Sequence, residues 1–87
     1  MKTNLDKLTK EINIFENKAG FNKTSKEKLK RWLKEEVNNY NKSKSKEEKQ
    51  NKLIDIIILI TQIARRDNIS LDEAYIKWEI KSKKYLK

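Results

Sequence analysis

The chain has 87 residues, of which 40% are charged, and it carries a formal net charge of +9. It contains no cysteine and no histidine, which excludes disulfide bonds, zinc sites of the usual kind and histidine acid–base catalysis. A single domain of this length has a thin core, so we expect marginal stability as a monomer and a homodimer as the remedy.

The first predicted helix covers residues 4–17. One face of it carries apolar side chains at a 3-4-3 spacing: Leu5, Leu8, Ile12 and Phe15. Gly20 is the expected left-handed terminator. We expect Phe21, directly after it, to pack back into the core.

The second predicted helix covers residues 25–41 and begins at a capping-box pattern, Thr24-Ser25-Lys26-Glu27. Its apolar face comprises Leu29, Trp32, Leu33, Val37 and Tyr40. Glu36 lies within that face, whereas the opposite side is rich in lysine. The sequence therefore places one carboxylate on the apolar face of this helix.

The third predicted helix covers residues 46–66 and opens with a second capping box, Ser45-Lys46-Glu47-Glu48. Residues 53–64 form the longest apolar run of the chain, with apolar side chains on every side, which predicts a central helix buried all round. Polar residues interrupt the run, and it is shorter than the about 20 residues that span a bilayer. Asp55 is its unusual member, because a buried carboxylate is costly unless it is paired or binds a metal ion.

The last predicted helix covers residues 70–86 and follows a turn at Asp67-Asn68. Its start, Ser70-Leu71-Asp72-Glu73, is a third capping box. We expect its core face to bury Leu71, Ala74, Tyr75 and Trp78, and the end of the chain to pack down through Tyr85 and Leu86. Ile76 and Ile80 lie on a second face, which indicates a partner surface. The whole pattern predicts one all-α domain over residues 1–87, a small four-helix bundle.

The candidate site lies where the second and third helices face each other. Residues three apart share a helix face, so Glu36 with Asn39 and Lys52 with Asp55 form two polar pairs. The connector between the helices is short, which favours antiparallel packing. The two pairs are then expected to meet.

This layout resembles the MazG-like, all-α nucleoside triphosphate pyrophosphohydrolases, whose Glu-x-x-Glu and Glu-x-x-Asp motifs hold Mg²⁺ against nucleotide phosphates. The resemblance covers residues 21–85. It is carried by Leu33-Lys34-Glu35-Glu36-Val37, Ile54-Asp55-Ile56-Ile57, Asn68-Ile69-Ser70-Leu71-Asp72-Glu73-Ala74 and the basic ending Trp78-Glu79-Ile80-Lys81-Ser82-Lys83-Lys84-Tyr85. The family's short turn and helix opening of the type Gly-Ile-x-Leu-Glu-Glu-Ala is similar to the third of these segments.

The resemblance implies that Glu36 and Asp55 are catalytic residues and Mg²⁺ ligands, with Glu35 as a replacement ligand. It also implies that a nucleoside triphosphate is held through its phosphates by Lys77, Lys81 and Lys84.

Two of the four carboxylate positions depart from the family pattern, because Asn39 and Lys52 stand there. The four positions carry −1 in this chain, since Glu36 and Asp55 contribute −1 each and Lys52 contributes +1, against −4 in the family. Mg²⁺ prefers carboxylates and phosphate oxygens. We therefore expect nucleotide binding with weak or lost hydrolysis, and a Lys52 ammonium that bridges Glu36 and Asp55 in place of the ion.

Other interpretations of the same residues stay open. The polar cluster is equally an ion pair that keeps the two helices in register. The basic charge predicts nucleic-acid binding, although an AT-rich genome also encodes an excess of lysine. Exposed Ile76, Ile80 and Leu86 suit a protein–protein adaptor or inhibitor. The start Met1-Lys2-Thr3-Asn4 has no apolar signal core, which predicts a cytoplasmic protein without membrane contact.

Overall fold

The structure is a computed structural model that describes residues 4–86; Met1 to Thr3 and Lys87, including most of the segment on which the cytoplasmic prediction rests, lie outside the described residues. Four α-helices follow one another as α1 (Leu5–Ala19), α2 (Lys26–Lys42), α3 (Lys46–Arg66) and α4 (Leu71–Ser82). Short 3-10 helices follow α1 (Phe21–Lys23) and α4 (Lys83–Tyr85). No strand occurs in residues 4–86, so the all-α prediction is confirmed.

Serine side chains cap the starts of three helices, and at α3 and α4 these are the serines that the capping boxes predict, whereas at α2 the cap lies one residue after the predicted Thr24. Ser45 Oγ accepts a hydrogen bond from the Glu48 amide, and Ser70 Oγ accepts one from the Glu73 amide. At α2 the cap is Ser25, whose hydroxyl accepts from the Lys28 amide. Each bond satisfies one of the amides that a helix start leaves without an intrahelical partner.

Gly20 ends α1 with a φ of 81°, in the left-handed region that glycine reaches at little cost. α3 lies at the centre and packs against both α1 and α2, whereas α4 contacts mainly α1. The buried apolar core is small and consists of Leu29, Leu59 and Ala64. Within residues 4–86, no helix is apolar over a length that would cross a membrane.

Two polar networks tie distant parts of the chain together. The Arg66 guanidinium donates to both carboxylate oxygens of buried Glu16, at 3.0 and 2.7 Å, and also to the carbonyls of Phe21 and Thr24. This network links the end of α3 to the end of α1. Sequence spacing could not show it, because the two charged residues are 50 positions apart.

The second network joins the starts of α1 and α4. Asp6 accepts hydrogen bonds from the Ser70 hydroxyl at 2.6 Å and from the amides of Leu71 and Asp72, while Asp72 accepts from the Leu5 amide. The Ser70 hydrogen bond, assisted by the two backbone amides, holds the pKa of Asp6 below its ordinary value of 3.8. A carboxylate at a helix start also interacts favourably with the helix dipole.

The prediction that α3 is buried all round is wrong. Four of its apolar side chains are between 41% and 48% exposed: Leu53, Ile54, Ile57 and Ile60. The physical reason is the position of α4, which packs against α1 and leaves this side of α3 uncovered.

The predicted burial of three residues near the chain's end is also wrong. Trp78 is 57% exposed, and Tyr85 and Leu86 are 74% and 79% exposed. Ala74 is exposed as well, whereas Leu71 and Tyr75 are half-buried. Helix α4 ends at Ser82, earlier than predicted, and Tyr85 and Leu86 beyond it do not pack into the core.

Candidate functional site

Glu36 is the centre of the candidate site. It lies on the face of α2 that also carries fully buried Leu29, and its own side chain is 20% exposed. The Asn39 amide donates to Glu36 Oε1 at 3.3 Å, as the spacing of three predicts. Lys52 Nζ, from α3, lies 3.2 Å from Glu36 Oε2. The antiparallel hairpin therefore brings Glu36, Asn39 and Lys52 together.

The Lys52 contact is an ion pair rather than a well-directed hydrogen bond. Glu36 Oε2 is buried and has no hydrogen-bond donor in good geometry among the described residues. The ammonium within 4 Å still compensates its charge, because Coulomb attraction depends on distance and only weakly on angle. Lys52 thus occupies the position where a cation would be expected.

Asp55 does not take part in this cluster. It is exposed and makes no ion pair with the residues that the structure describes, so its predicted place in a Lys52 bridge is wrong. The least exposed positions of α3 in this region are 52, 56 and 59, which form the side that meets α2. Asp55 falls beside that line, toward solvent. Glu35, the suggested replacement ligand, is exposed too.

These residues do not fit a magnesium ion. Within residues 4–86 no three acidic side chains come close enough to hold a metal. The half-buried carboxylate of this site, Glu36, already pairs with an ammonium, which repels a cation and fills its space. The hydrogen-bond donors at this site instead suit an anion, which would contact the Lys52 ammonium alongside Glu36.

A pocket of about 270 Å³, lined by polar and charged residues, adjoins the ion pair at the turn between α2 and α3. Its lining comprises Asn39, Lys42, Ser43, Glu48, Asn51 and Lys52. Glu48 accepts a hydrogen bond from the Lys44 amide, and the Ser43 hydroxyl donates to the Asn39 carbonyl. Among the described residues, the lining donors without a hydrogen-bond partner are therefore the ammonium of Lys42 and the amide of Asn51, beside Lys52.

Sequence reasoning did not select Lys42, Ser43 or Asn51. They lie in or near the low-complexity connector, where lysine, serine and asparagine look like solvated chain. The sequence feature that could have identified these residues is their position relative to the connector. Residues at both ends of a short connector between antiparallel helices must lie close together in space.

The three lysines predicted to bind phosphate lie elsewhere. Lys77 and Lys81 are exposed on α4, and Lys84 lies in the following 3-10 helix with its ammonium 5.2 Å from the ring centre of Tyr85. None of them lines the pocket beside Lys52. Within one chain the structure leaves these lysines apart from Glu36, because α4 packs mainly on α1.

Comparison with known proteins identifies no relative. No protein-family model, no curated protein and no solved structure matches the chain. The functional argument therefore depends on the residues and their geometry.

Proposed function

We propose that this protein binds the phosphate end of a nucleoside triphosphate without metal-dependent hydrolysis. The ion pair between Lys52 and Glu36, at 3.2 Å, is the observation that carries the proposal. A lysine ammonium supplies one positive charge and three hydrogen-bond donors. It can therefore hold Glu36 and a phosphate oxygen at the same time, which a metal ion would otherwise do.

The adjoining pocket supports phosphate rather than a whole nucleotide as the enclosed group. Its volume of about 270 Å³ lies just below the range of about 300–1,000 Å³ typical of small-molecule sites. Its donors are cationic or amide groups, and the charges of Lys42 and Lys52 balance those of Glu48 and the adjoining Glu36. Phosphate oxygens accept charge-assisted hydrogen bonds from such donors.

The class of ligand comes from the resemblance to MazG-like pyrophosphohydrolases. In this proposal the chain derives from such an enzyme, keeps Glu36 and has exchanged metal chemistry for the Lys52 ammonium. Lys77, Lys81 and Lys84 remain proposed phosphate contacts. The proposed protein is a homodimer, in keeping with its thin core.

Calorimetric titration with ATP, with Mg²⁺ and with a chelator, tests the proposal. We expect equal binding in both conditions and no release of pyrophosphate. Lys52→Ala should weaken binding about tenfold or more, because a charge-assisted hydrogen bond is lost. Lys49→Ala, on the same helix but outside the pocket, removes the same charge and should leave the affinity within about twofold, since exposed charges are screened.

Three outcomes would contradict this reading. Binding only in Mg²⁺, together with pyrophosphate release, would restore the enzyme hypothesis. Equal weakening by both substitutions would indicate attraction to net charge alone. Binding of oligonucleotides that falls steeply with salt and ignores Lys52→Ala would favour the basic nucleic-acid module.

A second candidate function is that of a protein–protein adaptor. The observation that favours it is the exposure of Ile76, Ile80 and Leu86, which are between 52% and 79% accessible. Exposed apolar residues in one segment suit a partner helix. An adaptor would bind no nucleotide under either condition of the titration.

A further inference from the structure

An apolar face of α3 remains open in the single chain. It consists of Leu53, Ile54, Ile57 and Ile60, which we call the α3 apolar face. Leu53, Ile57 and Ile60 follow an i, i+4, i+7 spacing, and Ile54 adjoins Ile57 one turn away, so the four side chains form one continuous strip. The same side of the helix continues into buried Thr61 and Ala64.

The accessible surface of the chain is larger than that of a typical compact monomer of the same mass. A folded monomer of 10.5 kDa exposes about 5,400 Å², whereas this chain exposes 7147 Å², an excess of about 1,700 Å². The radius of gyration is also larger than expected, at 14.8 Å compared with about 12 Å for a compact domain of this length. The fold therefore leaves surface uncovered that a compact domain of this size buries.

We propose that a second copy of this chain covers the α3 apolar face, with the two α3 helices packed across a two-fold axis. The inference deepens the homodimer of the proposed function by naming its surface. The α3 apolar face supplies only part of the excess area, so the interface would extend onto the surface around it. An interface that removed the whole excess from both copies would bury about 3,400 Å², within the 2,000–5,000 Å² typical of obligate dimers. A symmetric interface brings the same surface of both copies together, so this strip is its own complement.

The net charge of the chain disfavours a dimer held together by polar contacts and favours one with an apolar interface. Each copy carries +9, so two copies repel each other at low salt. None of the four side chains of the α3 apolar face is charged, and contact there brings apolar groups rather than lysines together. Added salt screens the remaining repulsion, so the dimer should tighten as ionic strength rises.

Sedimentation equilibrium of the wild-type chain and of Ile57→Asp tests the surface. We expect a wild-type dimer whose dissociation constant rises at least about tenfold in Ile57→Asp, because the symmetric interface contains the substitution twice. Ile14→Asp is the matched control. Ile14 is also half-exposed, but it lies on the side of α1 opposite buried Glu16, and its substitution should leave the dimer intact.

A covalent test does not depend on a carboxylate being tolerated. The natural chain has no cysteine, so a single introduced cysteine can form a disulfide only with another chain. Under mild oxidation Ile57→Cys should form a covalent dimer and Ile14→Cys should not, since a disulfide needs Cα atoms within about 7 Å.

These experiments test two hypotheses separately: that the chain dimerises, and that the α3 apolar face is the interface. A wild-type chain that stays monomeric at every concentration and salt would overturn both, and would leave the face to a different partner. A wild-type dimer that persists unchanged in Ile57→Asp, with no Ile57→Cys crosslink, would overturn the surface alone. ATP titration is independent of both results, so nucleotide binding can fail or succeed separately.

Discussion

Arg66→Met should destabilise the fold more than any change to an exposed charge. The substitution keeps most of the apolar stem but removes the guanidinium that donates to both oxygens of Glu16. Glu16 is 1% exposed, so its carboxylate would remain buried without a cation. Breaking a buried pair in this way costs about 3–5 kcal/mol. The Arg66 side chain is 18% exposed, which places the expected cost at the lower end, about 3 kcal/mol.

This cost is large for a chain of 87 residues, whose expected free energy of unfolding is about 4–13 kcal/mol. The melting temperature should fall by about 12–24 °C, because 1 kcal/mol corresponds to about 4–8 °C in domains of this size. Thermal and urea denaturation followed by circular dichroism measure both quantities. The protein concentration must be held constant, since dimerisation also contributes to apparent stability.

Two comparisons make the test specific. Glu16→Leu combined with Arg66→Met should recover most of the loss, because replacing both partners of a buried pair with apolar groups is close to neutral. Lys26→Met breaks an ion pair of the same 2.7 Å length to Asp67, but its side chains are 37% and 34% exposed, so about 0.2–1 kcal/mol is expected. If Lys26→Met costs as much as Arg66→Met, or if the double variant is no better than the single one, burial is not the cause.

Further predictions concern the start of α4, the polar site and the end of α1. Asp6→Asn should destabilise the protein at neutral pH, and the difference should shrink in acid. The folded pKa of Asp6 lies below 3.8, so its contribution is complete above that value and is lost as the pH falls through the lower folded pKa; a difference that stays constant as the pH is lowered would contradict this. Asn39→Glu with Lys52→Glu changes the summed charge at positions 36, 39 and 52 from 0 to −3. Mg²⁺ should then raise the melting temperature, and indifference to millimolar Mg²⁺ would show that charge was not the obstacle. Gly20→Ala should lower the free energy of unfolding, measured by chemical denaturation, by about 1 kcal/mol. The φ of 81° disfavours any side chain, although no atom lies within 4 Å of the new Cβ. An unchanged free energy of unfolding would mean that the turn can change conformation.

Local patterns were sufficient for the four helices and for most of their ends, the end of α4 being the exception. Three kinds of feature depend only on neighbours within about one turn, and all three occur in the structure. They are the serine caps three residues ahead of Glu or Lys amides, the left-handed Gly20 and the apolar periodicity near 3.6. The Glu36–Asn39 contact follows for the same reason. The Glu36–Lys52 contact needs only the additional assumption that a short connector reverses the chain.

The sequence by itself determined an all-α chain, most of its caps and the contacts of Glu36 with Asn39 and Lys52, because those interactions are short in range. Only the tertiary structure decided where α4 lies, and with it the exposure of Ile57 and the separation of the α4 lysines from Glu36. It also decided that Arg66 would neutralise Glu16 across 50 residues. Such outcomes depend on which of several amphipathic faces pack together, and periodicity shows that a face exists without showing what covers it.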